Sequence, residues 1–178
     1  EDYRDLHRVD RRHRQMCRID RNNIVKAIDS NMEDIQIIAV AGRNNRLEAK
    51  LKDLSTKNKL VVYGFVNNMH ELMELSDCII SKPGGVSVSE ILSREKPLVI
   101  FSPLPGQEHE NVEFLLNSGA AVYTPDVRRI PALINQIFDS EIRMKYFKEL
   151  TGLLKKPDSA DNIVHYLTVK YGSNSKTY

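Results

Sequence analysis

The residues that could carry chemistry are concentrated at 78–90, where the sequence reads Cys-Ile-Ile-Ser-Lys-Pro-Gly-Gly-Val-Ser-Val-Ser-Glu. Apolar residues at 78–80 predict a short buried strand, and Pro83-Gly84-Gly85 predicts a tight turn. The residues at 86–93 predict a helix. The stretch therefore predicts a strand, a glycine turn and a helix in succession.

A glycine turn that opens a helix is suited to binding an anion. The first backbone N–H groups of a helix have no intrahelical acceptor, and a phosphate or diphosphate can sit against them at Gly84 and Gly85. Lys82 would either neutralise phosphate charge or lie in solvent, while Ser87 and Ser89 are candidate caps of the helix. An isolated Gly-Gly pair is more often a simple turn, so the phosphate interpretation depends on the other loops.

The composition argues against several classes of protein. The chain has 178 residues, a formal net charge of +2 and two cysteines, Cys17 and Cys78, which lie far apart in sequence. Basic residues are spread along the chain without interleaved aromatic residues, which argues against nucleic acid as a partner. No apolar run approaches the roughly 20 residues of a membrane span, and the cysteines indicate neither a disulfide framework nor a metal cluster. We therefore expect a cytoplasmic protein whose contact with a membrane, if any, is peripheral.

Strands and helices alternate along most of the chain. Predicted strands lie at 35–41, 60–63, 78–80, 97–101 and 120–123. Predicted helices lie at 45–54, 69–75, 86–93, 110–117, 130–138, 141–150 and 159–169. Repeated βα units of this length predict an α/β fold with a doubly wound parallel sheet, whose ligands bind beyond the carboxyl ends of the strands.

We divide the chain into three segments. Residues 1–21 are rich in arginine and predict an amphipathic helix or a linker, residues 22–170 form the predicted binding domain, and residues 171–178 form a polar tail. Acidic residues dilute the basic charge of the first segment. This favours a solvated helix packed on protein over a helix that lies on anionic lipid.

The strand exits carry the groups that a nucleoside diphosphate sugar requires. A flat base could be held near Phe65, and Glu90, one turn into the glycine-turn helix, could accept hydrogen bonds from ribose hydroxyls. Gln107, Glu108 and Asn111 offer amide and carboxylate groups to a sugar. Each has an ordinary alternative: Glu90 as a solvent-facing helix residue, and the loop residues as polar caps.

The segment 78–111 resembles the donor-binding domain of the diacylglycerol glycosyltransferases. The resemblance is carried by Ser-Lys-Pro-Gly-Gly-Val-Ser-Val-Ser-Glu, Lys-Pro-Leu-Val-Ile and Pro-Gly-Gln-Glu-His-Glu-Asn, and it extends through Val62-Tyr-Gly-Phe-Val66, Gly42-Arg-Asn44 and forward to about Thr124. This family includes bacterial processive diacylglycerol glucosyltransferases and plant monogalactosyldiacylglycerol synthases. It is more distantly similar to the peptidoglycan lipid intermediate N-acetylglucosaminyltransferase. The resemblance implies a GT-B fold, in which this chain is the Rossmann-like C-terminal domain that binds a UDP-sugar.

The resemblance also implies a donor-binding set. It assigns Phe65 and Val66 to uracil, Gly84, Gly85 and Val86 to the diphosphate, Glu90 to the ribose, and Gln107, Glu108 and Asn111 to the sugar. Gly42, Arg43 and Lys82 complete the set, although Arg43 could equally be a solvated surface residue. No catalytic base is expected within this chain, because the family places it in the N-terminal domain. Neither a metal ion nor a cofactor is implied.

The implied reaction is an inverting transfer of a hexose from UDP-glucose or UDP-galactose to diacylglycerol. The lipid would bind through an acceptor domain, which would also bring the protein to an anionic membrane surface on the cytosolic side. His109 is interpreted as a sugar contact or a bystander, since the family's base lies elsewhere.

Two departures from the family pattern leave alternatives open. The glycine-rich loop expected before the first helix is replaced by the arginine-rich segment, and the sequence lacks an acceptor domain. The chain could therefore be a donor-domain fragment or the donor-binding subunit of a split UDP-N-acetylglucosamine transferase. A UDP-sugar epimerase of related fold and a nucleotide-binding subunit without catalytic activity are further alternatives.

Overall fold

The computed structural model describes residues 21–103, 106 and 108–171. Within these residues the chain alternates between helices and short parallel strands, as the sequence predicts. The predicted helix at 1–21 lies outside the described residues except for Arg21, and the tail beyond Tyr171 lies outside them as well.

The strands form two parallel ladders in the described part of the chain. They are β1 (Gln36–Val40), β2 (Lys59–Tyr63), β3 (Ile79–Ser81), β4 (Leu98–Ile100) and β5 (Ala121–Tyr123). The first ladder pairs β1 with β2, and the second has the order β3-β4-β5. The parallel arrangement requires crossover connections, which the intervening helices provide.

The helices flank both ladders. They are α1 (residues 21–31), α2 (Asn45–Lys52), α3 (Met69–Leu75), α4 (Gly85–Ser93), α5 (His109–Asn117), α6 (Ile130–Phe138), α7 (Glu141–Leu154) and α8 (Ser159–Tyr171), with a short 3₁₀ helix at Val127–Arg129. The bounds of α3 and α6 are those predicted from the sequence, and α2 ends two residues early.

The start of α4 differs from the prediction. The helix begins at Gly85 with Gly84 as its N-cap, and no side chain caps it. Ser89 instead donates its hydroxyl hydrogen to the Gly85 carbonyl, within the helix, at 3.0 Å. The prediction that Ser87 or Ser89 caps the helix is therefore wrong, because the helix starts before either serine can occupy the capping position.

Strand β4 is buried on both faces. Val99 and Phe101, the first residue after the strand, pack in one core cluster with Ile37 of β1. Leu98 and Ile100 pack in a second cluster with Ile91 and Leu115 of the flanking helices. This period of two is the one expected for a strand covered on both sides. The first cluster also joins β1 to β4, so the two ladders share one core.

The strand that leads to the glycine turn is anchored in this core. Cys78 packs against the first cluster, and burial raises the pKa of its thiol to about 12. At neutral pH the thiol is therefore protonated and acts as a small apolar side chain. Cys78 anchors β3 at its amino end, and Ile79 and Ile80 pack against the two clusters further along the strand.

The last helix is exposed along its whole length. Its apolar residues Ile163, Val164 and Leu167 are each about half or more accessible to solvent. Among the described helices, none combines the length and the apolar character needed to cross a bilayer.

Candidate functional site

The glycine turn leaves the amino end of α4 open. Gly84 has an extended backbone, with φ of −67° and ψ of 140°, and its carbonyl accepts the first helical hydrogen bond from the Val88 N–H at 2.9 Å. The N–H groups of Gly85, Val86 and Ser87 precede that bond and so lack an intrahelical acceptor. They form the positive end of the helix dipole, which favours an anion.

The protein itself does not require glycine at either position of this turn. A Cβ atom at Gly85 would meet no atom within 4 Å, and one at Gly84 would make only an ordinary contact of 3.6 Å with Glu108 Oε1. Neither residue has a positive φ, unlike Gly42 and Gly106. Glycine is a favoured residue at the N-cap position of Gly84. Gly85 lies within the helix, where glycine costs up to about 0.5–1 kcal/mol relative to alanine, so it lowers stability without a steric reason inside the chain. Close approach of a ligand to the main chain would supply that reason.

The first turn of α5 packs against the glycine turn. Asn111 donates a hydrogen bond from Nδ2 to the carbonyl oxygen of Pro83 at 2.8 Å. Glu108, the N-cap of α5, has a carboxylate oxygen 3.6 Å from the position that a Cβ atom of residue 84 would occupy. The structure thus brings together Gly84, Glu108 and Asn111, which the sequence places 24 and 27 residues apart. Gln107 lies outside the described residues.

Glu90 lies on α4 itself, half-buried and five residues beyond Gly85. At ~1.5 Å of rise per residue, the carboxylate-bearing residue is about 7–8 Å along the axis from the open end of the helix. Its carbonyl accepts a hydrogen bond from Arg94 at 2.9 Å. Among the described residues, no ion pair engages its carboxylate. The group is available to accept hydrogen bonds from a ligand.

Two further members of the predicted set flank the turn. Lys82 is half-buried directly before Pro83, and its carbonyl accepts a hydrogen bond from the Ser81 hydroxyl at 3.1 Å. Val86 is 77% exposed in the first turn of α4. An apolar side chain so exposed leaves one side of the open helix end without cover from the described protein.

Arg43 and Phe65 form a second group, at the exits of β1 and β2. The Arg43 guanidinium carbon lies 4.8 Å from the centre of the Phe65 ring, which is 59% exposed. The loops run side by side because the Gly42 N–H donates to the Gly64 carbonyl at 3.1 Å, where Gly42 has a φ of 62°. This guanidinium–ring stack is a preformed flat surface at a strand exit. Val66 follows it, half-buried.

One carboxylate beside this second group was not predicted. Glu48, in α2, forms an ion pair with Lys52 at 2.7 Å, and its carboxylate lies so close to Gly64 that a side chain at position 64 would displace it. In the sequence, the pair is indistinguishable from an ordinary helix pair four residues apart. Only the fold reveals that the glycine at 64 makes room for this carboxylate.

His109 pairs with a residue of its own helix. Its Nε2 lies 3.2 Å from Glu113 Oε1, one helical turn further along α5, and both side chains are mostly exposed. This geometry agrees with a bystander on the solvent face of the helix.

A shallow cleft of about 380 Å³ lies at the opposite, amino end of β1 and β2. Its lining residues are Glu33, Asp34, Ile35, Lys57, Asn58 and Lys59. Lys57 and Glu33 pair there at 3.2 Å. The candidate site is instead the open surface formed at the carboxyl ends of the strands, where α/β sheets bind ligands.

Comparison with solved structures defines the class of fold. MurG of Acinetobacter baumannii superimposes with a TM-score of 0.64 at 20% sequence identity, over 85% of this chain and 46% of that chain. WaaG, described as a glycosyltransferase involved in lipopolysaccharide biosynthesis, superimposes with a TM-score of 0.54 at 14% identity, over 74% of this chain and 38% of that chain. The fold is the Rossmann-like domain of a GT-B glycosyltransferase, as predicted.

Sequence comparison identifies the family. The model of the glycosyltransferase family 28 C-terminal domain matches residues 19–157. Processive diacylglycerol beta-glucosyltransferases of Bacillus cereus (strain AH187) and Bacillus thuringiensis (strain Al Hakam) are 35% and 33% identical over 133 residues, which is 74% of this chain and 34% of each relative. The chain belongs to the glycosyltransferase family 28 C-terminal domain family. It spans about a third of the length of these curated relatives.

Proposed function

We propose that the chain is the UDP-sugar-binding domain of an inverting glycosyltransferase that moves glucose or galactose to diacylglycerol. The open amino end of α4 is the observation that carries the proposal. There, Gly84 and Gly85 expose main-chain N–H groups although the protein has room for a side chain at both positions. The names of the Bacillus relatives support diacylglycerol as the acceptor.

The diphosphate of the donor would lie against Gly84, Gly85 and Val86, with Lys82 nearby. When the bond between the sugar and the diphosphate breaks, negative charge develops on the leaving UDP. Fixed N–H groups at a helix end stabilise that charge without having to reorganise. In this proposal the described residues hold the leaving group, and the base that deprotonates the acceptor hydroxyl belongs to an acceptor domain.

The ribose and the base extend from the diphosphate to the two sides of the site. Glu90 would accept the ribose hydroxyl hydrogens, because its carboxylate lies on the same helix as the diphosphate turn and is half-buried. Phe65 and Val66 would hold the uracil, with Gly42 and Arg43 shaping the loop beside them. The stack of Arg43 on Phe65 supports this assignment, since a flat surface suits a flat base.

The sugar would lie toward the first turn of α5, where Glu108 and Asn111 approach the glycine turn and Gln107 precedes them. Acceptor binding and contact with an anionic membrane surface belong to the proposed acceptor domain. The protein would then act at the cytosolic face of the membrane as a peripheral protein.

Glu90→Ala is expected to weaken UDP binding by about 1 to 3 kcal/mol, the usual scale for a hydrogen bond to a charged group. Isothermal titration calorimetry with UDP measures the change. The matched control is Glu149→Ala, which removes a mostly exposed helical glutamate in α7. Equal UDP affinity in Glu90→Ala and the wild-type chain would remove Glu90 from the ribose site.

Phe65→Ala is expected to weaken the binding of uridine and UDP alike by about 1 kcal/mol or more, since both ligands would lose the same stacking surface. Fluorescence or calorimetric titration of both ligands checks the result. Phe138→Ala is the control, because this α6 residue is also partly exposed, at 41%. If Phe65→Ala left uridine affinity unchanged, the base would have to bind elsewhere.

The proposed donor specificity is tested by titrating the wild-type chain with UDP-glucose, UDP-galactose and UDP-N-acetylglucosamine. We expect one of the two hexose donors to bind more tightly than UDP-N-acetylglucosamine. Preferential binding of UDP-N-acetylglucosamine would contradict the proposed substrate class and favour the split transferase.

A further inference from the structure

We infer that Asn111 is a positioning residue for the diphosphate turn, which it orients through the carbonyl oxygen of Pro83. This inference rests on the proposed function, because it concerns how the same site binds the diphosphate. It departs from the expectation that Asn111 contacts the sugar.

A hydrogen bond joins Asn111 to the residue directly before the two glycines. Asn111 Nδ2 lies 2.8 Å from the Pro83 oxygen, and the two residues are 28 positions apart. Pro83 is fully buried, and a proline offers no N–H of its own to neighbouring groups. Without Asn111, a carbonyl oxygen in this confined position would lose its partner, which is costly.

The same hydrogen bond orients the peptide unit between Pro83 and Gly84. The carbonyl of Pro83 and the N–H of Gly84 belong to one planar group, and the described chain contains no cis peptide bonds. In a trans peptide the N–H points away from the carbonyl, so fixing the Pro83 oxygen also fixes the direction of the Gly84 N–H. That N–H directly precedes the Gly85, Val86 and Ser87 N–H groups at the open end of α4, so the orientation of this peptide unit sets where those donors begin.

The two glycines and the start of α4 give the turn little side-chain support of their own. No side chain caps α4, and neither glycine has a side chain that could pack against the protein. The Asn111 amide is thus a specific polar contact that α5 makes with the residues just before the turn. The first turn of α5 couples the loop assigned to the sugar with the turn assigned to the diphosphate.

The test compares Asn111→Ala with the wild-type chain against uridine, UDP and UDP-glucose, using NMR titration for uridine and calorimetry for the nucleotides. We expect uridine affinity to stay within about twofold, while UDP and UDP-glucose both weaken by a similar factor of about tenfold, the scale of one hydrogen bond. Asn117→Ala is the matched control, since it removes an exposed asparagine from the other end of the same helix. It should change none of the three affinities.

A second variant, Asn111→Leu, has nearly the shape of asparagine but neither donates a hydrogen bond nor carries a charge, so it tests the hydrogen bond if the alanine variant folds poorly. It should also lose UDP while retaining uridine. A loss confined to UDP-glucose would show a sugar contact and overturn the inference. An equal loss of uridine would show a general structural role and overturn it as well. Unchanged UDP affinity in both variants would overturn the role of Asn111 and leave the proposed function intact. A wild-type chain that binds neither UDP nor uridine would overturn the proposed function itself.

Discussion

Gly85→Ala should weaken UDP binding at least tenfold while leaving the chain as stable as the wild type or more stable. A methyl group at this position meets no protein atom within 4 Å, so the fold tolerates it. Replacing a helical glycine by alanine stabilises a protein by about 0.4–1 kcal/mol when the conformation is compatible. The same methyl group would occupy the space in which a phosphate approaches the main chain. Binding and stability should therefore change in opposite directions.

The control for this prediction is Gly152→Ala, in the interior of α7. A Cβ atom there would make an ordinary contact of 3.7 Å with Glu95 Oε1, so this substitution should also be tolerated. Thermal unfolding and UDP calorimetry are measured for both variants. We expect both variants to change stability by similar amounts and only Gly85→Ala to lose UDP affinity. Undiminished UDP binding by Gly85→Ala would mean that Gly84-Gly85 is a simple turn.

The 178-residue chain alone should transfer no hexose to diacylglycerol, although it should bind UDP. The proposed reaction needs the acceptor hydroxyl and a base to be held against the sugar, and this positioning contributes about 7 to 11 kcal/mol to a step of this kind. In the proposed function, the described residues provide only the surface that binds the leaving group. A radiolabel assay with UDP-glucose or UDP-galactose and diacylglycerol micelles measures the activity.

Fusion of the chain to the remaining portion of a Bacillus relative should restore transfer. The matched control is the same fusion with Gly85→Ala, which should lose most of the restored activity. Substantial glycolipid formation by the 178-residue chain alone would contradict the division of the site between two domains. Hexose interconversion without an acceptor would favour the epimerase alternative.

Local patterns predicted the elements well where they combined apolar periodicity with clear breakers. The bounds of α3 and α6 agree with the prediction because polar loops flank both helices, and β4 was recognisable from its continuous apolar run. The start of α4 was misplaced by one residue. Serines near a helix start resemble caps in sequence, but here the chain enters the helix with an extended glycine.

The contacts that organise the site could be predicted only in part. Strand exits share an edge of a parallel sheet, so the sequence predicts that Arg43 and Phe65 lie near each other. It does not predict that the two side chains stack. The bond from Asn111 to Pro83 depends on how α5 packs against the glycine turn, and no local pattern encodes it. The same holds for the approach of Glu48 to Gly64, which resembles an ordinary surface pair in the sequence.

The central claim, that the amino end of α4 binds the diphosphate of a UDP-sugar, is tested most directly by mapping backbone amide chemical shifts of the ¹⁵N-labelled chain. UDP and uridine are titrated in parallel, so that the difference between the two maps reports the phosphates. We expect the amide signals of Gly84, Gly85 and Val86 to shift with UDP and not with uridine. The amide signals of Phe65 and Val66 should shift with both ligands. A UDP map in which the amides of 84–86 do not move, while other loops respond, would contradict the central claim.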